Sequence, residues 1–104
     1  MRYAVRLTIE FEAAVADDVQ WWADHRSEEQ ARRWYTEILD LVETLTENPE
    51  RFPIAPESVR LGAEVREMPF STGRRLTHRI FFRIASSQLV EVLALQHVRQ
   101  ADRS

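Results

Sequence analysis

The chain contains no cysteine and no lysine among its 104 residues. The lack of cysteine excludes disulfide bonds and thiolate metal sites. The three histidines stand far apart in the sequence, which does not favour a metal centre built from imidazoles. We therefore predict neither a metal site nor a cofactor.

Long apolar runs are also missing. No segment approaches the ~20 apolar residues of a membrane-spanning helix. The first twelve residues, MRYAVRLTIEFE, lack the apolar stretch of a secretory signal. We expect a cytoplasmic protein without membrane association. Apolar residues make up 44% of the sequence, enough for the core of one small domain over residues 1–104.

Charge is distributed unevenly along the chain. Residues 1–55 carry six arginines and twelve acidic residues, whereas residues 56–104 carry eight arginines and five acidic residues. Because arginine binds phosphate through paired hydrogen bonds, the basic second half is compatible with a nucleic-acid partner. Alternatively, the acidic and basic halves pair with each other within the fold.

The spacing of apolar residues changes along the chain. Residues 2–9 alternate between apolar and polar side chains, which predicts a strand. Helical spacing then covers residues 10–47, where a capping-box pattern at Ser27 divides the segment into two helices. Residues 48–62 are rich in proline and predict a loop, and residues 63–98 predict a three-stranded antiparallel meander.

This element order, β-α-α-β-β-β, is typical of an α+β fold. We predict an antiparallel four-stranded sheet with the α-helical hairpin packed on one face. The meander strands are expected at residues 63–70, 76–84 and 89–98. The last of them is apolar on both faces, which favours a place inside the sheet.

The second and third meander strands carry the candidate site. Arg79 alternates with the apolar residues of its strand, and His97 and Arg99 follow at the end of the next strand. We expect these three side chains to share the sheet face that the helices leave open. Arginine can stabilise a pentavalent phosphate, and histidine can transfer a proton near neutral pH. Further positive charge for RNA or another target is expected from Arg66, Arg74, Arg75 and Arg83.

The alternative is an arginine-rich face that only contacts solvent or a partner, with His97 hydrogen-bonded to the backbone.

Two tryptophans on the helices can be either exposed or buried. Trp21 and Trp34 lie off the apolar stripes of the helices, whereas Trp22 and Tyr35 lie on them. Exposed tryptophans are typical of protein interfaces, so we predict that Trp21 and Trp34 contact a partner. Alternatively, a broader apolar stripe on each helix would bury all four aromatic residues.

Nearly the whole chain resembles the RelE/ParE superfamily of bacterial toxins from type II toxin–antitoxin modules, the kind that stabilises plasmids. The resemblance rests on several segments in the family's order. They are YAVRLT, an acidic helical hairpin, ENPERFPIAPE, EVREMPF, HRIFFRI and VEVLALQHVRQ.

The resemblance implies a growth inhibitor that a cognate antitoxin neutralises, as a homodimer or a toxin–antitoxin hetero-oligomer. RelE-like members are metal-independent endoribonucleases that cut mRNA on the ribosome, and Arg79, His97 and Arg99 match their basic residues. ParE-like members poison DNA gyrase without the nuclease residues. The lysines and the C-terminal tyrosine common in the RelE branch are absent from this chain. A non-toxic binding module is the remaining alternative.

Overall fold

A computed structural model of the chain describes residues 2–72 and 75–98. It contains a four-stranded sheet and helices, which confirms the predicted α+β class. Within those ranges, no helix is both long and apolar enough to cross a membrane. The elements in chain order are β1 (Ala4–Leu7), α1 (Ile9–His25), α2 (Glu28–Glu43), α3 (Ser58–Leu61), β2 (Arg66–Thr72), β3 (Arg75–Ser86) and β4 (Leu89–His97).

The sheet is mixed rather than antiparallel throughout. Its strand order is β1-β4-β3-β2, in which β2, β3 and β4 form the predicted antiparallel meander and β1 pairs with β4 in parallel. The prediction of an entirely antiparallel sheet is therefore wrong. Both helices lie in the connection from β1 to β2 at the opposite edge of the sheet, which lets β2 run in the same direction as β1. Two antiparallel pairings later, β4 has this direction too and lies beside β1. The predicted interior position of the last strand is confirmed.

Both long helices pack on the same face of the sheet. Phe11 and Val15 of α1 and Trp34 and Ile38 of α2 are buried in one cluster with the strands. The strand residues of this core are Met68, Phe70, Ile80, Phe82, Val90 and Val92. The helix-covered face is thus mostly apolar, and His78 on β3 is a buried polar side chain within it.

Hydroxyl side chains fix the starts of both long helices. Ser27 Oγ accepts a hydrogen bond from Gln30 N at 3.1 Å, as the capping-box pattern predicts. Thr8 Oγ1 accepts from Phe11 N at 3.2 Å and also lies 3.0 Å from the carbonyl oxygens of Val92 and Leu93. Thr8 therefore joins the first turn of α1 to strand β4.

A β-bulge at Leu93 changes which residues of β4 face the helices. Phe81 pairs with Ala94 while Phe82 pairs with Val92, so Leu93 is an extra residue on β4. After a bulge, each side chain of the strand lies on the face opposite to the one that simple alternation predicts. From the sequence, His97 is expected on the face opposite Val92. The bulge instead turns His97 to the same side as Val92, beneath α1.

Candidate functional site

The two faces of the sheet separate the residues that we expect to act together. Arg79 projects from the face opposite the helices, where its register partner is Gln96. His97 projects toward the helices, and its Nε2 lies 3.1 Å from Asp18 Oδ1 of α1. The expected sharing of one open face by Arg79 and His97 is therefore wrong, because of the bulge at Leu93. Arg74, Arg99 and the side chain of Arg75 lie outside the described part of the structure.

Arg79 is bound on its own face by two carboxylates. Its Nη1 and Nη2 donate to the two oxygens of Glu57 at 2.9 and 3.0 Å, and Nη2 donates to Glu67 Oε2 at 2.6 Å. The guanidinium also lies over the Phe81 ring, 4.7 Å from its centroid. The hydrogen bonds with Glu57 raise the pKa of Arg79 further above its ordinary value. A phosphate would have to displace these carboxylates to reach the guanidinium.

A second ion-pair group on the same face centres on Glu91. Glu91 is 8% exposed, pairs with Arg6 and accepts from Arg83 Nε at 2.7 Å. The hydrogen bonds from Arg6 and Arg83 hold the pKa of Glu91 below its ordinary range. The three arginines and three glutamates in these two groups balance in charge. The described part of this face therefore does not present the net positive charge expected from the sequence.

Arg66 anchors the chain segment that precedes β2. Its Nη1 donates to the carbonyl oxygens of Phe52 at 2.6 Å and Glu50 at 3.2 Å. Its Nη2 pairs with Glu64 at 3.2 Å. Arg66 thus holds the proline-rich segment against the sheet, and its hydrogen-bonding capacity is used within the chain.

A cluster of Asp18, His78 and His97 lies between α1 and the sheet. His78 Nε2 is 3.1 Å from Asp18 Oδ2, and His97 Nε2 is 3.1 Å from the same carboxylate. His78 is buried at 5% exposure, and its Nδ1 lies 2.7 Å from Thr77 Oγ1. The sequence could not reveal this cluster, since the two histidines become neighbours only through the pairing of β3 with β4.

The two histidines of this cluster favour the ionised form of the Asp18 carboxylate. Burial acts to raise the pKa of Asp18, but the hydrogen bond from His78 and the nearby charge of His97 outweigh it. The pKa of Asp18 is therefore below its ordinary value. Asp18 is an anion placed between two imidazoles, one buried and the other partly exposed to solvent.

The two tryptophans predicted at an interface differ in burial. Trp34 is 2% exposed and packs against Phe70 and His78, so its predicted place at an interface is wrong. Its large ring fills the core, whereas Tyr35, which is expected on the apolar stripe, is 44% exposed. Trp21 is 46% exposed and stacks on His25 with the ring centroids 4.8 Å apart. Trp21 therefore remains a candidate for partner binding.

Further exposed apolar side chains lie in the segment between the helices and β2. Val59 is 92% exposed, Leu61 58% and Ile54 51%. The same segment carries Glu57, which pairs with Arg79. This apolar segment, residues 54–61, was not singled out by its sequence pattern because three exposed apolar residues in a loop resemble ordinary loop composition.

Comparison with known proteins gives the family. A sequence profile of the family described as "ParE toxin of type II toxin-antitoxin system, parDE" matches residues 5–102. The chain belongs to the ParE toxin family. Its fold is similar to that of a chain from the "Chromosomal ParDE TA system from P. aeruginosa", with a TM-score of 0.72, 18% identity and coverage of 93% of this chain and 97% of that chain. No curated protein sequence matches it significantly.

In this ParE-family toxin, the charged residues of the candidate site therefore lie in two separate places. Arg79 and Arg83 are neutralised on the open face, and His97 is joined to Asp18 under α1. Charge stabilisation of a phosphate and proton transfer to it require donors that converge on one point. Arg79 and His97, on opposite faces of a sheet, cannot supply both to the same phosphate.

Proposed function

We propose that this chain is a growth-inhibiting toxin that acts in the cytoplasm on DNA gyrase and not by cleaving mRNA. The observation that carries the proposal is the placement of Arg79 and His97 on opposite faces of the sheet. A general acid or base and a phosphate-binding arginine would have to meet at one scissile bond. Membership of the ParE family supports the same choice, since the resemblance associates the ParE-like branch with gyrase poisoning without nuclease residues.

The ion pairs of the open face give further support. Arg79 is 18% exposed at its side chain and is bound by Glu57 and Glu67. An RNA phosphate approaching this point meets two carboxylates as well as one guanidinium. The carboxylates compete with the phosphate for the guanidinium, so binding of an RNA backbone at Arg79 is disfavoured.

We further propose that a cognate antitoxin binds the exposed apolar residues of the toxin. Trp21 on α1 and the apolar segment 54–61 present large side chains that are about half exposed or more. Partly exposed aromatic and aliphatic residues of this kind supply most of the binding energy in protein interfaces. Covering them would also shield the protein from non-specific association.

The proposal is tested by producing the toxin alone in bacterial cells. We expect growth arrest, inhibition of DNA supercoiling by purified gyrase, and mRNA that stays intact in induced cells. The variant His97→Gln should keep its effect on gyrase, since His97 lies under α1 and away from the open face.

Two results would contradict the proposal. Cleavage of mRNA with normal gyrase activity would establish the nuclease alternative. Normal growth, with a folded and abundant protein, would instead identify a non-toxic binding module. Co-production of the antitoxin should restore growth if the protein is a toxin of this class.

A further inference from the structure

We propose that Asp18, His78 and His97 form a binding site for a divalent transition-metal ion, with Zn²⁺ as the expected occupant. The site is independent of the proposed action on gyrase. Two imidazoles and one carboxylate make a common ligand set for Zn²⁺ and related ions. In the described part of the chain, this is the group of potential ligands whose donor atoms converge, all within 4.8 Å of one another.

The distances between the ligand atoms suit tetrahedral coordination. Bonds of about 2.0–2.1 Å at tetrahedral angles place neighbouring ligand atoms ~3.3 Å apart. Asp18 Oδ2 lies 3.1 Å from His78 Nε2 and 3.1 Å from His97 Nε2. Two edges of the tetrahedron are therefore nearly formed, and the three ligand atoms all lie within 4.8 Å of one another, so that the third edge closes by a movement of the imidazoles toward the ion.

The three ligands are held by regular secondary structure. His78 and His97 are direct register partners on β3 and β4, with ring centroids 4.2 Å apart. Asp18 reaches them from α1, whose first turn is tied to β4 by Thr8. Ligands on rigid elements keep their geometry better than ligands on loops. The ion would join α1 to the centre of the sheet.

The hydrogen bonds around His78 suit a metal ligand. When Nδ1–H donates to Thr77 Oγ1 at 2.7 Å, the Thr77 hydroxyl can donate onward to the Phe70 carbonyl oxygen at 3.3 Å. In this tautomer Nε2 has the lone pair that a metal ion needs, and binding of the ion would replace the hydrogen bond between His78 Nε2 and Asp18 Oδ2. Such an outer partner on the second ring nitrogen is typical of metal-bound histidine.

Access to the site differs on its two sides. His78 is buried beside Trp34 and Phe70, whereas the His97 side chain is 41% exposed. The buried side excludes water from the ligands, and the side at His97 lets the ion enter. A water molecule on this open side would complete the fourth position.

Cobalt gives the direct measurement, because Co²⁺ replaces Zn²⁺ and absorbs visible light with an intensity that reports its geometry. Untagged protein is freed of metal with a chelator and titrated with Co²⁺ at pH 7.5. We expect one equivalent to bind with the strong bands of tetrahedral coordination and to be displaced by Zn²⁺. We also expect Zn²⁺ to raise Tm by several degrees, since it binds the folded state.

Three variants separate this site from binding elsewhere. His97→Gln and Asp18→Asn should lose the tetrahedral bands and the rise in Tm, with circular dichroism checking that each is folded. His25→Gln is the matched control, because His25 stacks on Trp21 outside the cluster and should bind like wild type. Wild-type protein without tetrahedral bands and without a rise in Tm would overturn the proposal. Undiminished binding in folded His97→Gln would overturn it as well.

Discussion

His78 and His97 face each other across β3 and β4, with their ring centroids 4.2 Å apart. This pairing depends on the bulge at Leu93, which turns the end of β4 toward the helices. The same bulge removes His97 from the face that carries Arg79. One extra residue in β4 therefore separates His97 from Arg79 and places it beside His78 and Asp18.

Replacing the central carboxylate of this cluster should change how stability depends on pH. The pKa of Asp18 in the folded protein is below its ordinary value. Its stabilising effect is therefore complete above the unfolded-state pKa of about 4 and is lost as the pH falls through the lower folded-state value. We expect Asp18→Asn to lower the free energy of unfolding by roughly 1–3 kcal/mol at pH 7 in metal-free buffer.

Urea unfolding of wild type and Asp18→Asn between pH 7 and pH 3 measures this effect. The difference between the two proteins should shrink toward the acidic end. Asp17→Asn is the matched control, since it removes an exposed carboxylate from the same helix. A difference that stays constant with pH, or an equal effect of Asp17→Asn, would contradict the assigned ion pairs.

Arg79 should contribute more to stability than an arginine in an exposed pair. Arg79→Met leaves Glu57 and Glu67 without their shared partner on a partly buried surface. We expect a loss of roughly 1–3 kcal/mol. Arg33→Met breaks an exposed pair with Glu29 and should cost about 0.5 kcal/mol or less.

Denaturant unfolding and growth inhibition together decide the role of Arg79. Adding Glu67→Gln to Arg79→Met should recover part of the lost stability, because one unpaired charge is removed. If Arg79→Met is as stable as wild type but no longer inhibits growth, the arginine contacts the target directly. That outcome would contradict a purely structural role.

Local patterns predicted the elements of the fold but not all of their pairing. Helical spacing and the capping box at Ser27 lie within short segments, and the structure contains both helices there. The parallel pairing of β1 with β4 joins residues more than 80 positions apart, such as Ala4 and Leu89. Alternation within a strand indicates which side chains share a face, but it contains no information on the direction of a distant partner.

The candidate site was harder to predict than the fold, because it too depends on contacts between residues that are distant in the sequence. The bulge lies where Thr8 Oγ1 is 3.0 Å from the carbonyl oxygens of Val92 and Leu93, a long-range contact that the β4 sequence alone does not reveal. The choice between Trp34 and its neighbour Tyr35 for the core depends on the space above Phe70. The stripe predicted for α2 contains Tyr35, whereas the buried stripe of α2 contains Trp34, together with Ala31, Ile38 and Val42.

Thr8 should be more important for stability than an ordinary helix cap. Its hydroxyl caps α1 and also lies within hydrogen-bonding distance of two carbonyl oxygens at the bulge. Ser27 caps α2 through one bond to Gln30. We expect Ser27→Ala to cost about 1 kcal/mol and Thr8→Ala roughly 2 kcal/mol.

Urea unfolding of the two alanine variants tests this difference. Cobalt binding by folded Thr8→Ala supplies a second measurement, since a displaced β4 would move His97 relative to Asp18. Equal losses of stability in the two variants would show that the bulge does not depend on the Thr8 hydroxyl.

Substitution of the two tryptophans, Trp34 and Trp21, should distinguish an effect on folding stability from an effect on antitoxin binding. Trp34→Ala empties a site that is 2% exposed, and we expect a loss of about 3–5 kcal/mol. Trp21→Ala removes a ring that is 46% exposed, so the expected loss of stability is about 1 kcal/mol or less. If Trp21 anchors the antitoxin, its removal should weaken binding by roughly tenfold or more.

Calorimetric titration of the purified toxin variants with the cognate antitoxin measures the binding, and denaturant unfolding measures the stability. Ile9→Ala is the matched control, because Ile9 is 80% exposed near the opposite end of α1 from Trp21. It should leave antitoxin affinity unchanged. If Trp21→Ala binds as tightly as Ile9→Ala, the antitoxin does not contact this part of α1. The apolar segment 54–61 is then the next surface to test, beginning with the variant Val59→Ser.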